Sequence, residues 1–259
     1  MTTRSFVDQL GTEISIPYPP RNIVSLVPSQ TELLHHLGLD HEISGITKFC
    51  VHPQGWLKNK TIVGGTKKFS FETIARLKPD LIIGNKEENY QEGIERLRER
   101  YPVWVSDIIT LEHALEMIAS VGALTAREEQ AQHINETILN AFGTLRRFAG
   151  QSVLYLIWKK PWMAAGRGTF IDTMIQRTGL RNSVEQSRYP ELSEDEIHSL
   201  KPDYIFLSTE PYPFHNEHAG EIHRISPTSK IQIVDGEMIS WYGSRLQQAP
   251  AYFNGLLNL

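Results

Sequence analysis

The segments RLKPDLIIGN at positions 76–85 and SLKPDYIFLS at positions 199–208 are two copies of one junction. In each copy a helical pattern ends at Lys-Pro, because proline cannot continue an α-helix. The short apolar run that follows the aspartate has the length and composition of a buried strand. One copy lies in each half of the chain, so the repeat predicts two lobes of similar construction.

The segments around both copies alternate between short β-rich runs and helical patterns, as in NIVSLV followed by PSQTELLHHLGL. Such alternation is typical of parallel βα units. We therefore predict an N-terminal α/β lobe at 1–125 and a C-terminal α/β lobe at 150–259.

A connecting segment at 126–149 carries one apolar stripe. Its members recur at three- and four-residue steps, and they are Ala131, Ile134, Ile138, Phe142, Leu145 and Phe148. This spacing predicts a continuous helix from Glu128 to Phe148, about 30 Å long at 1.5 Å per residue. The predicted fold class is α/β, with two Rossmann-like lobes joined by a single long backbone helix.

Composition excludes several classes of protein. The 259 residues are 40% hydrophobic and 22% charged, with a net charge of -4, which favours a globular protein that does not bind nucleic acid. The single cysteine excludes an internal disulfide. No stretch approaches the roughly 20 apolar residues of a membrane span. We expect a monomer.

The first residues show no export-signal pattern. The sequence as written therefore predicts a cytoplasmic protein, or a periplasmic one if an export signal has been removed.

Ligands of open parallel sheets bind outside the carboxyl ends of the strands. The loops predicted there are rich in aromatic residues, which indicates either a ligand cleft or packing between the lobes. The predicted ligand-binding residues are Phe49, Cys50, His52, Lys86, Trp162, Tyr189, Tyr212, Trp241, Tyr242 and Arg245.

Cys50 and His52 lie two positions apart in a loop after a strand, so an extended loop would point both the same way. Both are soft or borderline metal ligands, which makes them candidate ligands of a bound metal. The alternative is a small buried thiol beside a structural histidine. For His215, His218 and His223, a solvated helix face is favoured over a metal site. No recognisable catalytic motif occurs, so we do not predict an enzyme.

Three segments and their order resemble a known family: RNIVSLVPSQTELLHHLGL at 21–39, IVGGTKKFSFETIARLKPDLIIGN at 62–85, and SEDEIHSLKPDYIFLS at 193–208. The family is the helical-backbone (class III) substrate-binding proteins of ABC importers, which includes cobalamin- and iron-siderophore-binding members. The resemblance covers nearly the whole chain, and several loops look like a subgroup without a signal peptide.

The resemblance implies a ligand held in a cleft between the lobes, and docking on a permease through one carboxylate of each lobe. Glu72 and Asp195 match the docking positions. Phe49 matches an aromatic cleft position, and Trp241, Tyr242 and Arg245 fall where the family places contacts from the C-terminal lobe. Thr66 and Asn85 stand where cobalamin-binding members have tryptophans.

Two functions are compatible with these residues. The first is a binding protein for a metal chelate such as cobalamin, haem or a ferric siderophore, because aromatic loops with Lys86, Arg188 and Arg245 suit a large, flat, partly anionic ligand. The second is a cytoplasmic enzyme, chaperone or sensor that handles a tetrapyrrole or metal cofactor. Its metal or acid–base chemistry would come from Cys50, His52, Glu87 and Glu210.

Overall fold

The computed structural model describes residues 2–256, so residue 1 and residues 257–259 of the predicted lobes lie outside the described residues. The chain forms two compact units. Within the described range, unit 1 comprises 2–108, 112–139 and 242–245, and unit 2 comprises 109–111, 140–241 and 246–256. The predicted boundaries differ in that 242–245 belongs with unit 1.

Unit 1 is built on a parallel sheet preceded by an antiparallel hairpin. The hairpin strands are β1 (Thr2–Val7) and β2 (Glu13–Tyr18). The sheet strands are β3 (Ile23–Ser25), β4 (Ile43–Ile46), β5 (Thr61–Ile62), β6 (Leu81–Asn85) and β7 (Val103–Ser106), in the order β5-β4-β3-β6-β7. Its helices are α1 (Pro28–His36), α2 (Trp56–Asn59), α3 (Phe71–Leu77), α4 (Gln91–Arg98) and α5 (Leu111–Thr125).

Unit 2 has a mixed sheet with a parallel centre. Its strands are β8 (Ser152–Trp158), β9 (Trp162–Ala164), β10 (Arg181–Asn182), β11 (Glu191–Leu192), β12 (Tyr204–Ser208) and β13 (Lys230–Val234). β8, β12 and β13 run parallel, β10 pairs in parallel with β8, and β9 and β11 are antiparallel additions. Its helices are α7 (Phe170–Arg177), α8 (Glu194–Leu200), α9 (Asn216–Ile225), α10 (Gly236–Ser240) and α11 (Ala249–Leu256). A 3-10 helix (Ser244–Gln247) begins in unit 1 and ends in unit 2.

The repeated junction performs the same task in both units. Lys78 and Lys201 end α3 and α8 in the left-handed conformation, with φ of 50° and 42°. In unit 1, Asp80 Oδ2 accepts hydrogen bonds from the backbone N–H of Arg21 at 2.9 Å and of Asn22 at 3.1 Å. These residues lead directly into β3, so the aspartate fixes the entry to the first strand of the sheet.

The second copy repeats this contact in unit 2. Asp203 Oδ2 accepts hydrogen bonds from the backbone N–H of Ser152 at 2.6 Å and from its hydroxyl at 2.7 Å. Ser152 is the first residue of β8. The strands that follow the two junctions, β6 and β12, are buried along nearly their whole length, as expected for central parallel strands.

The helix α6 (Glu128–Gly143) begins where the apolar stripe predicts and ends earlier. Its 16 residues span about 24 Å. Within it, Ala131, Ile134 and Ile138 are buried, as the stripe requires. The chain passes from unit 1 to unit 2 inside this helix, between residues 139 and 140.

The predicted continuation of the helix to Phe148 is wrong. Beyond Gly143, the backbone N–H of Arg146 donates to the side-chain oxygen of Asn254 at 2.8 Å. The N–H of Phe148 donates to the carbonyl of Thr178 at 2.8 Å. These acceptors replace the helical carbonyls, so the residues after Gly143 pack within unit 2 instead of extending α6.

Within residues 2–256, no helix combines the length and the apolar composition needed to cross a membrane.

Candidate functional site

Buried polar side chains organise the carboxyl edge of the sheet in unit 1. Asn85, the last residue of β6, donates from Nδ2 to Ser106 Oγ at the end of β7, at 2.9 Å. Asn89 accepts the backbone N–H of Asn85 at 2.9 Å and donates to the carbonyl of Thr66 at 2.9 Å. Gln30 of α1 donates to the same Ser106 hydroxyl. The loops after β5, β6 and β7 are therefore fixed to one another.

Phe49 is the exposed aromatic side chain of this edge. It follows β4, half of its surface is exposed, and Lys48 Nζ lies 5.0 Å from its ring centroid. A Cβ on Gly65 would approach the ring to 3.1 Å, so a glycine lets this loop pass close to Phe49. An exposed ring backed by a cation-bearing neighbour suits contact with a flat ligand.

Cys50 is a core residue. Its Sγ lies 3.1 Å from Thr31 Oγ1 and 3.2 Å from Thr47 Oγ1, and the residue is fully buried. Burial raises the pKa of the thiol and outweighs the opposing effect of these two hydrogen bonds. A buried, protonated thiol does not bind metal readily, so the structure does not support the predicted ligand role of Cys50.

His52 is only half-buried, whereas Cys50 is fully buried, so the two side chains lie in different surroundings. In the described range 2–256, no group of three or more His, Cys, Asp or Glu is arranged to hold a metal ion.

The charged residues after β6 already have neighbours of opposite charge. Lys86 Nζ lies 2.6 Å from Asp107 Oδ2, although the lysine side chain stays half exposed. Lys67 donates to the carbonyl of Glu87. Burial raises the pKa of Glu88, and the nearby Lys67 opposes that rise. Lys86 is therefore paired with Asp107 but remains accessible from solvent.

Arg245, which the sequence predicts to contact the ligand, is buried in an ion pair. Its Nη2 lies 2.6 Å from Glu32 Oε1 and its Nε lies 3.0 Å from Glu32 Oε2, in a bidentate pair inside unit 1. Both side chains are buried. The guanidinium is therefore used for packing the 242–245 segment against α1.

Exposed Trp158 and half-buried Tyr212 form an aromatic pair at the carboxyl edge of the sheet in unit 2, called here the aromatic platform. Trp158 ends β8 and is 40% exposed, and its ring centroid lies 5.6 Å from that of Tyr212 with an interplanar angle of 71°. Tyr212 in turn packs on buried Phe214, at 4.7 Å between centroids. Trp158 is the exposed part of the pair, and Tyr212 is held by its contact with buried Phe214.

The sequence predicted Tyr212 but missed Trp158. Trp158 belongs to a strand whose other residues are almost all buried, so alternation does not set it apart. Its position as the last residue of a parallel strand was the available signal.

His218 holds the tyrosine of the platform. Its Nδ1 accepts the backbone N–H of His215 at 2.9 Å, and its Nε2 lies 3.3 Å from the Tyr212 hydroxyl. His218 is buried, so the expected solvated helix face is wrong for this histidine. His215 and His223 are exposed as that interpretation requires.

The other predicted aromatic residues of unit 2 are mostly buried. Trp162 stacks on Phe214 with an interplanar angle of 6° and belongs to the core of unit 2. Trp241 is buried, and its Nε1 donates to Glu210 Oε2 at 3.0 Å. Tyr189 is half-buried, and the Arg188 guanidinium lies 5.9 Å from its ring centroid. Trp162 and Trp241 therefore pack within unit 2, and these contacts do not correspond to the predicted packing between the lobes.

Tyr242, which belongs to unit 1, is buried as well.

Glu72 and Asp195 both lie exposed in the first turn of a helix. The Glu72 side chain on α3 is 82% exposed, and its Oε1 lies 3.1 Å from Arg76 Nη1. Asp195 lies on α8, between Glu194 and Glu196. Carboxylates in a first helical turn interact favourably with the helix dipole, which is a sufficient structural reason for both.

A family model described as periplasmic binding protein matches residues 23–225, which is most of the chain. This chain belongs to the periplasmic binding protein family. The resemblance seen in the sequence is thereby confirmed, and the two α/β units agree with it. Members of this family are solute-binding proteins.

Two curated relatives and one solved structure illustrate the similarity. The vitamin B12-binding protein of Salmonella typhimurium is 24% identical over 216 residues, covering 80% of this chain and 77% of the relative. The uncharacterized ABC transporter substrate-binding lipoprotein YvrC of Bacillus subtilis is 23% identical, covering 76% and 67%.

The periplasmic haem-binding protein HutB of Vibrio cholerae shares the fold of this periplasmic binding protein. Its TM-score is 0.76 at 22% identity, with 92% of this chain and 99% of that chain covered.

Proposed function

We propose that this periplasmic binding protein binds a metal chelate of the cobalamin, haem or ferric-siderophore class and delivers it to an ABC importer. The names of the relatives support this proposal, since one is a vitamin B12-binding protein and another an ABC transporter substrate-binding lipoprotein. A structure of the same fold is named for haem binding.

The observation that carries the proposal is the aromatic platform of Trp158 and Tyr212. Trp158 is 40% exposed and packs edge-to-face on half-buried Tyr212, so the pair offers an exposed indole at the edge where parallel sheets bind ligands. Macrocyclic chelates are flat and stack on such rings. The buried base of Phe214 and His218 keeps the platform in place without help from the ligand.

Further contacts are proposed from each unit separately. In unit 1 we propose Phe49 for stacking, Lys86 for an anionic substituent, and His52 as a ligand of the bound metal. In unit 2 we propose Tyr189 beside the platform. The buried Cys50, Trp162, Trp241, Tyr242 and Arg245 act through packing and are not among the proposed contacts.

Titration calorimetry with cyanocobalamin, haem and a ferric siderophore tests the proposal. We expect one of the three to bind, and we expect Trp158→Ala to weaken its binding by about 1–3 kcal/mol because the stacking surface is lost. His52→Ala should weaken binding and change the absorption spectrum of the bound chelate if the imidazole coordinates the metal.

Leu139→Ala is the matched control, because Leu139 is an exposed apolar side chain on α6 and is not proposed as a contact. Binding of none of the three chelates would contradict the proposed function. Binding that Trp158→Ala does not weaken would contradict the platform as the site.

We also propose Glu72 and Asp195 as the carboxylates that dock on the permease, through charge-assisted hydrogen bonds to its arginines. Glu72→Lys combined with Asp195→Lys should abolish uptake of the chelate by cells while leaving its affinity in calorimetry unchanged. Glu136→Lys, a reversal on the exposed face of α6, is the control. Normal uptake by the double variant would leave both carboxylates with only their helix-dipole role.

A periplasmic location follows from this proposal, and fractionation of the native host with an antibody to the protein tests it. Recovery in the cytoplasmic fraction alone would contradict an importer role.

A further inference from the structure

A cavity lies in unit 1 between α3 and the end of α4. Its volume is about 80 Å³. Phe71, Ala75 and Leu97 supply its apolar side, and Arg96, Arg100 and Tyr101 supply its polar side. By the same measure a single water needs about 10–15 Å³, so the cavity has room for about five to eight atoms of that size.

The two arginines lack the acidic partners that their neighbours have. Arg98 pairs with Asp8, and Arg76 pairs with Glu72. Among residues 2–256, neither Arg96 nor Arg100 has a carboxylate within 4.0 Å. Both arginines are exposed and line the same cavity, so an anion bound there has two positive neighbours.

Arg96 is also held in place. Its guanidinium carbon lies 4.2 Å from the ring centroid of Phe71, a cation–π contact that uses the flat face of the group. The N–H donors of a guanidinium lie in its plane, so stacking leaves them available at the edge. This fork of donors matches the two oxygens of a carboxylate.

Glu99 limits the charge of the occupant. It lines the same cavity, so the three charged side chains sum to a single positive charge. A monoanion balances this charge, whereas a dianion such as hydrogen phosphate would leave an excess of negative charge beside Glu99. The apolar wall of Phe71, Ala75 and Leu97 suits a short hydrocarbon part.

We infer that this cavity binds a small organic monocarboxylate. The carboxylate is held by Arg96 and Arg100, the Tyr101 hydroxyl donates to it, and the short apolar part lies against Phe71 and Leu97. Propionate, with five non-hydrogen atoms, has the size that the cavity admits. The site is lined by residues other than those proposed to contact the chelate and does not depend on the proposed chelate binding.

The test is a two-dimensional amide NMR titration of the full chain with sodium propionate, at an ionic strength held constant with sodium chloride. We expect saturable shifts confined to the amides of 71–75 and 96–101, with millimolar affinity. Arg100→Gln should weaken the affinity about tenfold, since a charge-assisted pair is lost. Tyr101→Phe, which removes one hydroxyl without altering the packing, should weaken it by a smaller factor.

Arg76→Gln is the matched control, because it removes an equal charge from the adjacent helix outside the cavity, and it should leave the affinity unchanged. Shifts that do not saturate, or an equal loss with Arg76→Gln, would overturn the site. Tighter binding of inorganic phosphate than of propionate at the same amides would overturn the monocarboxylate class.

Discussion

Lys78 and Lys201 hold a left-handed backbone conformation that L-residues adopt at a cost of roughly 1–2 kcal/mol. Each is followed by a proline and an aspartate, and it is the aspartate that offsets this cost. Asp80 and Asp203 each accept two hydrogen bonds from the start of a strand that is distant in sequence. Three adjacent residues therefore end a helix, turn the chain and fix the neighbouring strand.

Asp203 gives this junction a dependence on pH. The hydrogen bonds from the Ser152 hydroxyl and backbone N–H lower the pKa of its carboxyl. The stabilisation is therefore complete above the unfolded-state pKa of about 3.9 and is lost as the pH falls through the lower folded-state value. We expect Asp203→Asn to lower the free energy of unfolding at pH 7, and the gap from wild type to narrow below about pH 4.

Urea unfolding at pH 7, 4 and 3 measures that gap. Glu191→Gln, at an exposed carboxylate on β11, is the control and should show no comparable narrowing. A gap that stays constant with pH would mean that the negative charge of Asp203 is not what stabilises the junction.

At the scale of elements, α8 shows how a short helix is stabilised at its start. The Ser193 hydroxyl accepts the N–H of Glu196 at 3.2 Å, and Glu196 Oε2 accepts the N–H of Ser193 at 2.7 Å. This capping box satisfies two backbone donors that a helix otherwise leaves without partners. The bonds from Ser193 also lower the pKa of Glu196.

We expect Ser193→Ala to lower the free energy of unfolding by about 1 kcal/mol, because the N-terminal cap is lost. Ser199→Ala on the same helix is the matched control, since the Ser199 hydroxyl bonds only to the carbonyl of Asp195 one turn earlier. Urea unfolding measures the loss of unfolding free energy in each variant. Equal losses would show that the hydroxyl at the cap has no special effect.

The extent of each element could be predicted only where local sequence decides it. The start of α6 at Glu128 and its buried face follow from three- and four-residue spacing. Its end does not, because Arg146 and Phe148 find their partners at Asn254 and Thr178, which no local pattern reveals. The aromatic residues show the same limit. The sequence shows that aromatic residues are frequent near the ends of strands, but only packing decides that Trp162 is buried and Trp158 exposed.

At the scale of the molecule, the buried pair of Glu32 and Arg245 joins segments that are 213 residues apart. The repeated junction predicts two α/β units, and the structure has them. The return of 242–245 to unit 1 has no such signal, because the pair of Arg245 with Glu32 joins residues that are distant in sequence. The same fact explains why Arg245 looks like a ligand contact in the sequence: a conspicuous arginine in a loop can serve packing equally well.

We expect Arg245→Ala to destabilise the protein by about 3–5 kcal/mol, because the carboxylate of Glu32 would stay buried without its partner. Glu32→Leu combined with Arg245→Met should recover most of that loss, since the two replacements fill similar volumes without charge. Denaturant unfolding of the single and double variants measures both effects. A double variant as unstable as Arg245→Ala would mean that packing by the guanidinium, and not charge pairing, stabilises the segment.

The separation of Glu32 and Arg245 in the sequence also determines when the pair can form during synthesis. At about 5–20 residues per second, a ribosome that has just added Glu32 needs roughly 10–40 s to reach Arg245. Once β7 has been translated, the first unit has all the strands of its sheet but lacks the partner of a carboxylate that must be buried. Its folding therefore cannot be completed while the chain grows, and the last step for the first unit waits until nearly the whole second unit has been translated.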